Sequence, residues 1–124
     1  MDLRQPVVIA EDDASQRRLL MEALTLRGFA VVAVPDSDSL YDLLVADHAC
    51  GGAIGAVIAD LRTPGTSLER SMRWVRRHYR GMPMVLVTGD ARIRESWVRE
   101  YRIPVIPKPI RLDRLVRLML HRSK

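Results

Sequence analysis

An α/β protein built on a parallel sheet, with helices on both faces, is predicted by three features of the sequence. Four short apolar runs, Pro6–Ala10, Phe29–Val34, Ala56–Ala59 and Met84–Val87, are nearly uninterrupted, as strands buried on both faces require. Each run leads into a longer segment whose apolar residues recur at helical spacing. Polar, glycine or proline residues punctuate the junctions.

The elements follow in order. Pro6–Ala10 is the first strand, and the polar Glu11, Asp12, Asp13 and Ser15 open a helix carrying Leu19, Leu20, Ala23, Leu24 and Leu26. Gly28 ends it. After the second strand, Asp36 or Ser37 can cap a helix bearing Leu40, Leu43, Leu44 and Val45 on one side. The glycine-rich Cys50–Gly55 stretch is a loop, and the third strand ends at Asp60. Pro64 and Gly65 signal a turn before a helix with Leu68, Met72, Val75 and Tyr79 on one face. Arg70, Arg73, Arg77 and Arg80 lie on the rest of its surface and are expected to be solvated. The fourth strand ends at Thr88-Gly89, and Ile93, Trp97, Val98 and Tyr101 mark another helix. Ile103–Ile106 is a weak fifth strand, and the prolines at 104, 107 and 109 suit an edge position. Leu112, Leu115, Val116 and Met119 stripe the last helix. Five alternations of strand and helix give right-handed crossovers and a sheet covered on both sides.

A chain of 124 residues is the size of one domain, so residues 1–124 are expected to form a single unit with no output domain. No apolar run reaches membrane-spanning length, and the first six residues do not resemble a secretory signal. The one cysteine, Cys50, excludes an intrachain disulfide and suits a reducing cytoplasm. The formal charge of +5 comes almost wholly from arginine. These arginines are spread along the chain rather than gathered in one run, so direct nucleic-acid binding is not expected.

In an open parallel sheet, function gathers beyond the carboxyl ends of the strands. The first strand ends in Glu11-Asp12-Asp13, the third in Asp60, the fourth in Thr88, and the fifth leads to Lys108. Carboxylates brought to one crevice repel each other, and a hard cation such as Mg²⁺ relieves that conflict. Acids also crowd the place of an anion, so a phosphate would enter only with a metal. Given one, Asp60 can attack phosphorus to make an acyl phosphate. Lys108 and the Thr88 hydroxyl can then hold the phosphoryl oxygens, and Gly89 leaves room for their approach. Singly, these residues read as helix caps, turn formers and a surface charge. Their ordered conjunction at strand ends is far more specific.

The stretches Val7–Arg17, Ala56–Pro64, Val85–Gly89 and Pro107–Pro109 resemble the CheY-like receiver domains of bacterial two-component response regulators over essentially the whole chain. The resemblance implies a flavodoxin-like, doubly wound sheet of five strands in the order 2-1-3-4-5, with five helices. It implies that Asp60 is the phosphoacceptor, with Thr88 and Lys108 beside it. Mg²⁺ would be held by Glu11, Asp12, Asp60 and the backbone carbonyl of Arg62. Asp13 reads as a helix cap, and a cis peptide is expected before Pro109. The implied donor is a sensor histidine kinase or a phosphotransfer protein, the implied output an altered affinity for an unidentified protein target. No catalytic turnover of other substrates is expected.

The chain departs from the family pattern at several places. Val105 stands where an aromatic ring is usual, three residues before Lys108, so an aromatic-coupled switch cannot operate in its usual form. The Thr88–Lys108 stretch is slightly short, Cys50–Gly55 is an expanded loop, and Tyr101-Arg102 replaces a small pair. The alternative is a degenerate receiver acting as a phosphorylation-independent interaction module. A haloacid-dehalogenase-type phosphatase fits poorly, since its Asp-x-Asp motif is absent after the first strand. Arg62 and Asp90, which flank the acceptor and the threonine, either pair across the pocket mouth and slow hydrolysis of the acyl phosphate or stand as two independent solvated side chains. Leu118 and Leu120 serve either as flanking core or as part of a homodimer face.

Overall fold

The computed structural model describes residues 2–63, 65, 68–90, 92 and 95–120. Ten elements alternate along the chain: β1 (Val7–Ala10), α1 (Ala14–Leu26), β2 (Val31–Val34), α2 (Ser37–Ala49), β3 (Ala56–Asp60), α3 (Leu68–His78), β4 (Met84–Thr88), α4 (Ser96–Glu100), β5 (Val105–Pro107) and α5 (Leu112–Leu120). The strands form one sheet in the order β2-β1-β3-β4-β5, and every pairing is parallel. The reversal of strand order falls between β1 and β3, so ligands are expected beyond the carboxyl ends of these two strands.

Alternation within the strands divides the core in two. Val8, Ala10, Val57, Ala59 and Leu86 face one side, where Leu40 and Leu44 of α2, Met72 and Val75 of α3 and Trp97 of α4 cover them. Val7, Ile9, Ile58, Val85 and Val87 face the other, under Leu24 of α1 and Leu115 and Met119 of α5. β1, β3 and β4 are buried along their whole length, as their uninterrupted apolar runs predict. β2 is an edge strand and is only half-buried. β5 is a three-residue edge strand, shorter and later than Ile103–Ile106, because Pro104 lacks an amide hydrogen to pair.

Both predicted helix starts have caps. Asp13 accepts the Gln16 amide hydrogen at 2.9 Å, and Asp36, rather than Ser37, accepts that of Ser39 at 2.7 Å. The α1 stripe is narrower than its leucines suggest. Leu24 is buried, with Leu20 and Met21 packed beside it, while Leu19 and Leu26 are 67% and 88% exposed. Leu20 and Leu24 lie on one stripe at i and i+4, and Leu19 and Leu26 project off it. On α5, Leu118 packs against the core, whereas Leu120 is largely exposed.

The fourth helix is only five residues long, and Ile93 lies outside the described residues. Its end is held from outside by the Arg76 guanidinium, which donates to the Tyr101 carbonyl at 2.9 and 3.1 Å. Such a bond satisfies a carbonyl that a helix C-terminus leaves orphaned. Arg102 then reverses the chain with a positive φ of 55°.

The expanded loop after α2 is pinned by one carboxylate. Asp47 accepts the Ala53 and Ile54 amide hydrogens at 3.1 Å and the Tyr79 hydroxyl at 2.7 Å. Burial alone would raise its pKa, but these donors outweigh burial and hold it below the usual carboxylate range. They hold Tyr79 in turn, whose burial and carboxylate partner push its pKa up. Asp47→Ala is expected to cost about 2 kcal/mol by denaturant unfolding, since it orphans several donors together. An acid with a depressed folded pKa stabilises above its unfolded pKa and loses that effect as pH falls through the folded value. The difference from wild type is therefore full at neutral pH and shrinks below about pH 4.

Candidate functional site

The carboxyl ends of β1, β3 and β4 converge with the β5–α5 junction on a single acidic crevice. β1 delivers Glu11, whose backbone amide continues the β1–β2 ladder to the Val34 carbonyl at 3.0 Å. β3 ends on Asp60, and the Lys108 amide donates to the Thr88 carbonyl at 2.8 Å, aligning the lysine with the end of β4. The Lys108–Pro109 peptide is cis, as expected. Glu11, Asp60 and Thr88 are all buried, at 6%, 9% and 6% exposure.

Lys108 is the hub. Its ammonium donates to one Asp60 carboxylate oxygen, to Glu11 Oε1 at 3.0 Å and to Gln16 Oε1 at 2.6 Å. The other Asp60 oxygen accepts the Arg62 amide hydrogen at 2.8 Å. Burial pulls the Lys108 pKa down, but its two carboxylate partners outweigh burial and leave it raised. Glu11 is shifted up, chiefly by burial, with the neighbouring Asp12 carboxyl adding to the rise against the opposing pull of Lys108. Two acids in mutual contact beside a third are the kind of site that a hard cation relieves.

Of the residues predicted for the site, Glu11, Asp60 and Lys108 are in direct contact, and Asp12 adjoins Glu11. Arg62 lies on the turn that Asp60 organises. Thr88 stands at the end of the neighbouring strand with its hydroxyl engaged by the Asp90 backbone, donating to the carbonyl at 3.0 Å and accepting from the amide at 3.1 Å. Among the described residues, no three His, Cys, Asp or Glu side chains stand at metal-ligand spacing. The Lys108 ammonium, between Glu11 and Asp60, supplies the positive charge there.

The Arg62 guanidinium does reach Asp90, at 3.3 Å. Asp90 also binds Arg92 at 3.1 Å, and this partner does most to hold its pKa below the usual range. Three contributors were not foreseen. Gln16 was hidden in an Asp13-x-x-Gln16 spacing that reads as a capping box, but its side chain turns to Lys108 instead. The Thr63 hydroxyl bridges the Ala10 and Asp60 carbonyls, tying the ends of β1 and β3 together. The Arg17 guanidinium donates to the Glu11 carbonyl at 2.8 Å.

Two surface features border the crevice. The exposed Leu19, with Leu20, Ala23 and Leu112, lines an apolar groove that opens onto Lys108. On the other side, Val105 lies with Leu61, Thr88, Val98 and Ile103 in the wall of a wide cleft.

No model of a known protein family matches the chain. Among curated proteins, the C4-dicarboxylate transport transcriptional regulatory protein DctD of Rhizobium meliloti is 30% identical over 118 residues, covering 94% of this chain and 25% of that protein. The transcriptional regulatory protein FixJ of Bradyrhizobium diazoefficiens is 24% identical, covering 96% of this chain and 57% of its own length. The chain thus spans only part of each relative. Among solved structures, a response regulator receiver protein from Pseudomonas putida superposes with a TM-score of 0.74 at 25% identity, covering 95% of this chain and 97% of that one. Another from Sinorhizobium medicae gives 0.78 at 22% identity, covering 94% and 92%. Fold, site and similarity agree that this chain belongs to the CheY-like receiver domains of two-component response regulators.

Proposed function

We propose that this receiver accepts a phosphoryl group on Asp60 from a sensor histidine kinase or a phosphotransfer protein, and that the modified state binds a downstream protein with altered affinity. The observation that carries this reading is the Lys108 ammonium, delivered by the β5–α5 junction onto the buried Asp60 carboxylate. In the transfer, an Asp60 oxygen attacks phosphorus as the bond to the donor's imidazole nitrogen breaks. Lys108 then moves its charge-assisted bond from the carboxylate to a phosphoryl oxygen. The Thr88 hydroxyl would exchange its Asp90 contacts for the same group.

The oxygen-rich donor set of Glu11, Asp12, Asp60 and the Arg62 carbonyl suits Mg²⁺, which takes few protein ligands and keeps several waters. When bound, it neutralises the crowded carboxylates and the incoming phosphoryl charge. With Val105 in place of a ring, the signal must travel through the loops that Thr88 and Lys108 draw inward. The protein is in this reading a cytoplasmic regulatory switch, without turnover of other substrates. Among the described residues no helix is long and apolar enough to cross a membrane.

The test is labelling by acetyl phosphate, with the mass increment mapped by peptide analysis. A Mg²⁺-dependent phosphoryl group on the Asp60 peptide is expected. A folded protein that takes none, with Mg²⁺ in excess, sinks the proposal. The Arg62–Asp90 bridge supports a further expectation. Arg62→Ala opens the pocket mouth to water, and dephosphorylation should quicken about two- to fivefold, within the range of an exposed ion pair. An unchanged rate would leave the bridge without that role.

A further inference from the structure

At the pole of the molecule opposite Asp60, two helix C-termini bring two imidazoles together. His48 lies in the last turn of α2, and His78 is the last residue of α3. Their ring centroids are 4.8 Å apart, with the planes inclined at 50°. Both rings line a cavity of about 280 Å³ shared with Gln5, Gly52 and Tyr79. His78 is half-buried and packs on the Trp74 indole, with ring centroids 3.9 Å apart, so its ring is held in place. His48 is exposed and meets Trp74 and Tyr79 edge-on, with ring centroids 6.0 and 5.7 Å away.

We propose that His48 and His78 form a two-imidazole site for a borderline divalent cation of the Zn²⁺ or Ni²⁺ class, clamping α2 to α3. A metal bound ~2 Å from one nitrogen of each ring places the two centroids about 5 Å apart, which matches the spacing found. Helix C-termini carry partial negative charge, and two of them meet here, so the backbone itself favours a cation. The charged side chains nearest these residues in sequence are Asp47, Arg77 and Arg80. Asp47 is engaged by Tyr79 and by backbone amides. No third His, Cys, Asp or Glu joins at ligand spacing among the described residues, so water would complete the coordination. Imidazole suits Zn²⁺ and Ni²⁺ but not Mg²⁺, so the two ends of the sheet select different metals.

The experiment titrates untagged full-length protein with ZnCl₂ by calorimetry and with NiCl₂ by tryptophan fluorescence, in excess Mg²⁺. Saturable one-to-one binding is expected, with Ni²⁺ quenching Trp74. His48→Gln and His78→Gln should each weaken binding at least tenfold, with unchanged far-ultraviolet circular dichroism, while His121→Gln binds as wild type. The proposal is overturned if neither metal saturates below millimolar concentration, or if binding survives in both His48→Gln and His78→Gln. Dependence on His121 alone would overturn it equally.

Discussion

Asp60→Asn is expected to fold as the wild type does and to take no label from acetyl phosphate at any Mg²⁺ concentration. The amide keeps the size of the carboxylate and can still accept the Arg62 amide hydrogen, which the acid accepts at 2.8 Å. Its oxygen carries no formal charge and is a poor nucleophile, so the proposed acceptor is removed without dismantling its turn. Lys108→Ala separates a second role. It should be labelled about 10- to 100-fold more slowly, the effect of one lost charge-assisted hydrogen bond to the phosphoryl group. It also strips the buried Glu11 and Asp60 carboxylates of their shared cation. In metal-free buffer it should therefore lose about 2 kcal/mol, less than for a wholly buried pair. Lys108 is 24% exposed, which weakens the coupling. Added Mg²⁺ should then restore more stability to this variant than it adds to wild type. Equal unfolding midpoints in metal-free buffer would contradict the ammonium's place between the two acids.

How far the sequence carries depends on whether a residue's role is local. Val7–Ala10, Ala56–Ala59 and Met84–Val87 are legible as strands because burial on both faces leaves them no polar position. Their endings are legible as a site because parallel strands must place Asp60 and Thr88 at the same edge. Asp13 is legible as a cap, since capping needs only its own next residues. Gln16 is not, because the Lys108 it binds lies 92 residues away and its spacing from Asp13 suggests a different, local bond. Leu19 and Leu26 mislead for a related reason. A leucine-rich helix displays several apolar stripes, and only the sheet decides that Leu24 is buried. The bond that Arg76 makes to the Tyr101 carbonyl at the end of α4 is equally invisible locally, because its donor lies on another helix 25 residues away.

The exposed Leu19 has a consequence for the choice of phosphodonor. In the proposed transfer, the apolar groove that Leu19 lines beside Lys108 gives a donor helix something to bury next to the acidic crevice. Leu19→Arg is expected to slow transfer from any phosphohistidine protein that labels the wild type by about 10- to 30-fold, as for a central apolar contact replaced by a charge. Labelling by phosphoramidate, too small to touch the groove, should be unchanged. Leu26 is the control: it is more exposed, at 88%, yet lies about 10 Å further along α1, away from the crevice. Leu26→Arg should transfer at the wild-type rate. If Leu19→Arg slows phosphoramidate as well, the substitution has disturbed the acceptor site itself. If neither substitution slows the protein donor, that donor approaches Asp60 from the Val105 side, and the groove on α1 takes no part in its recognition.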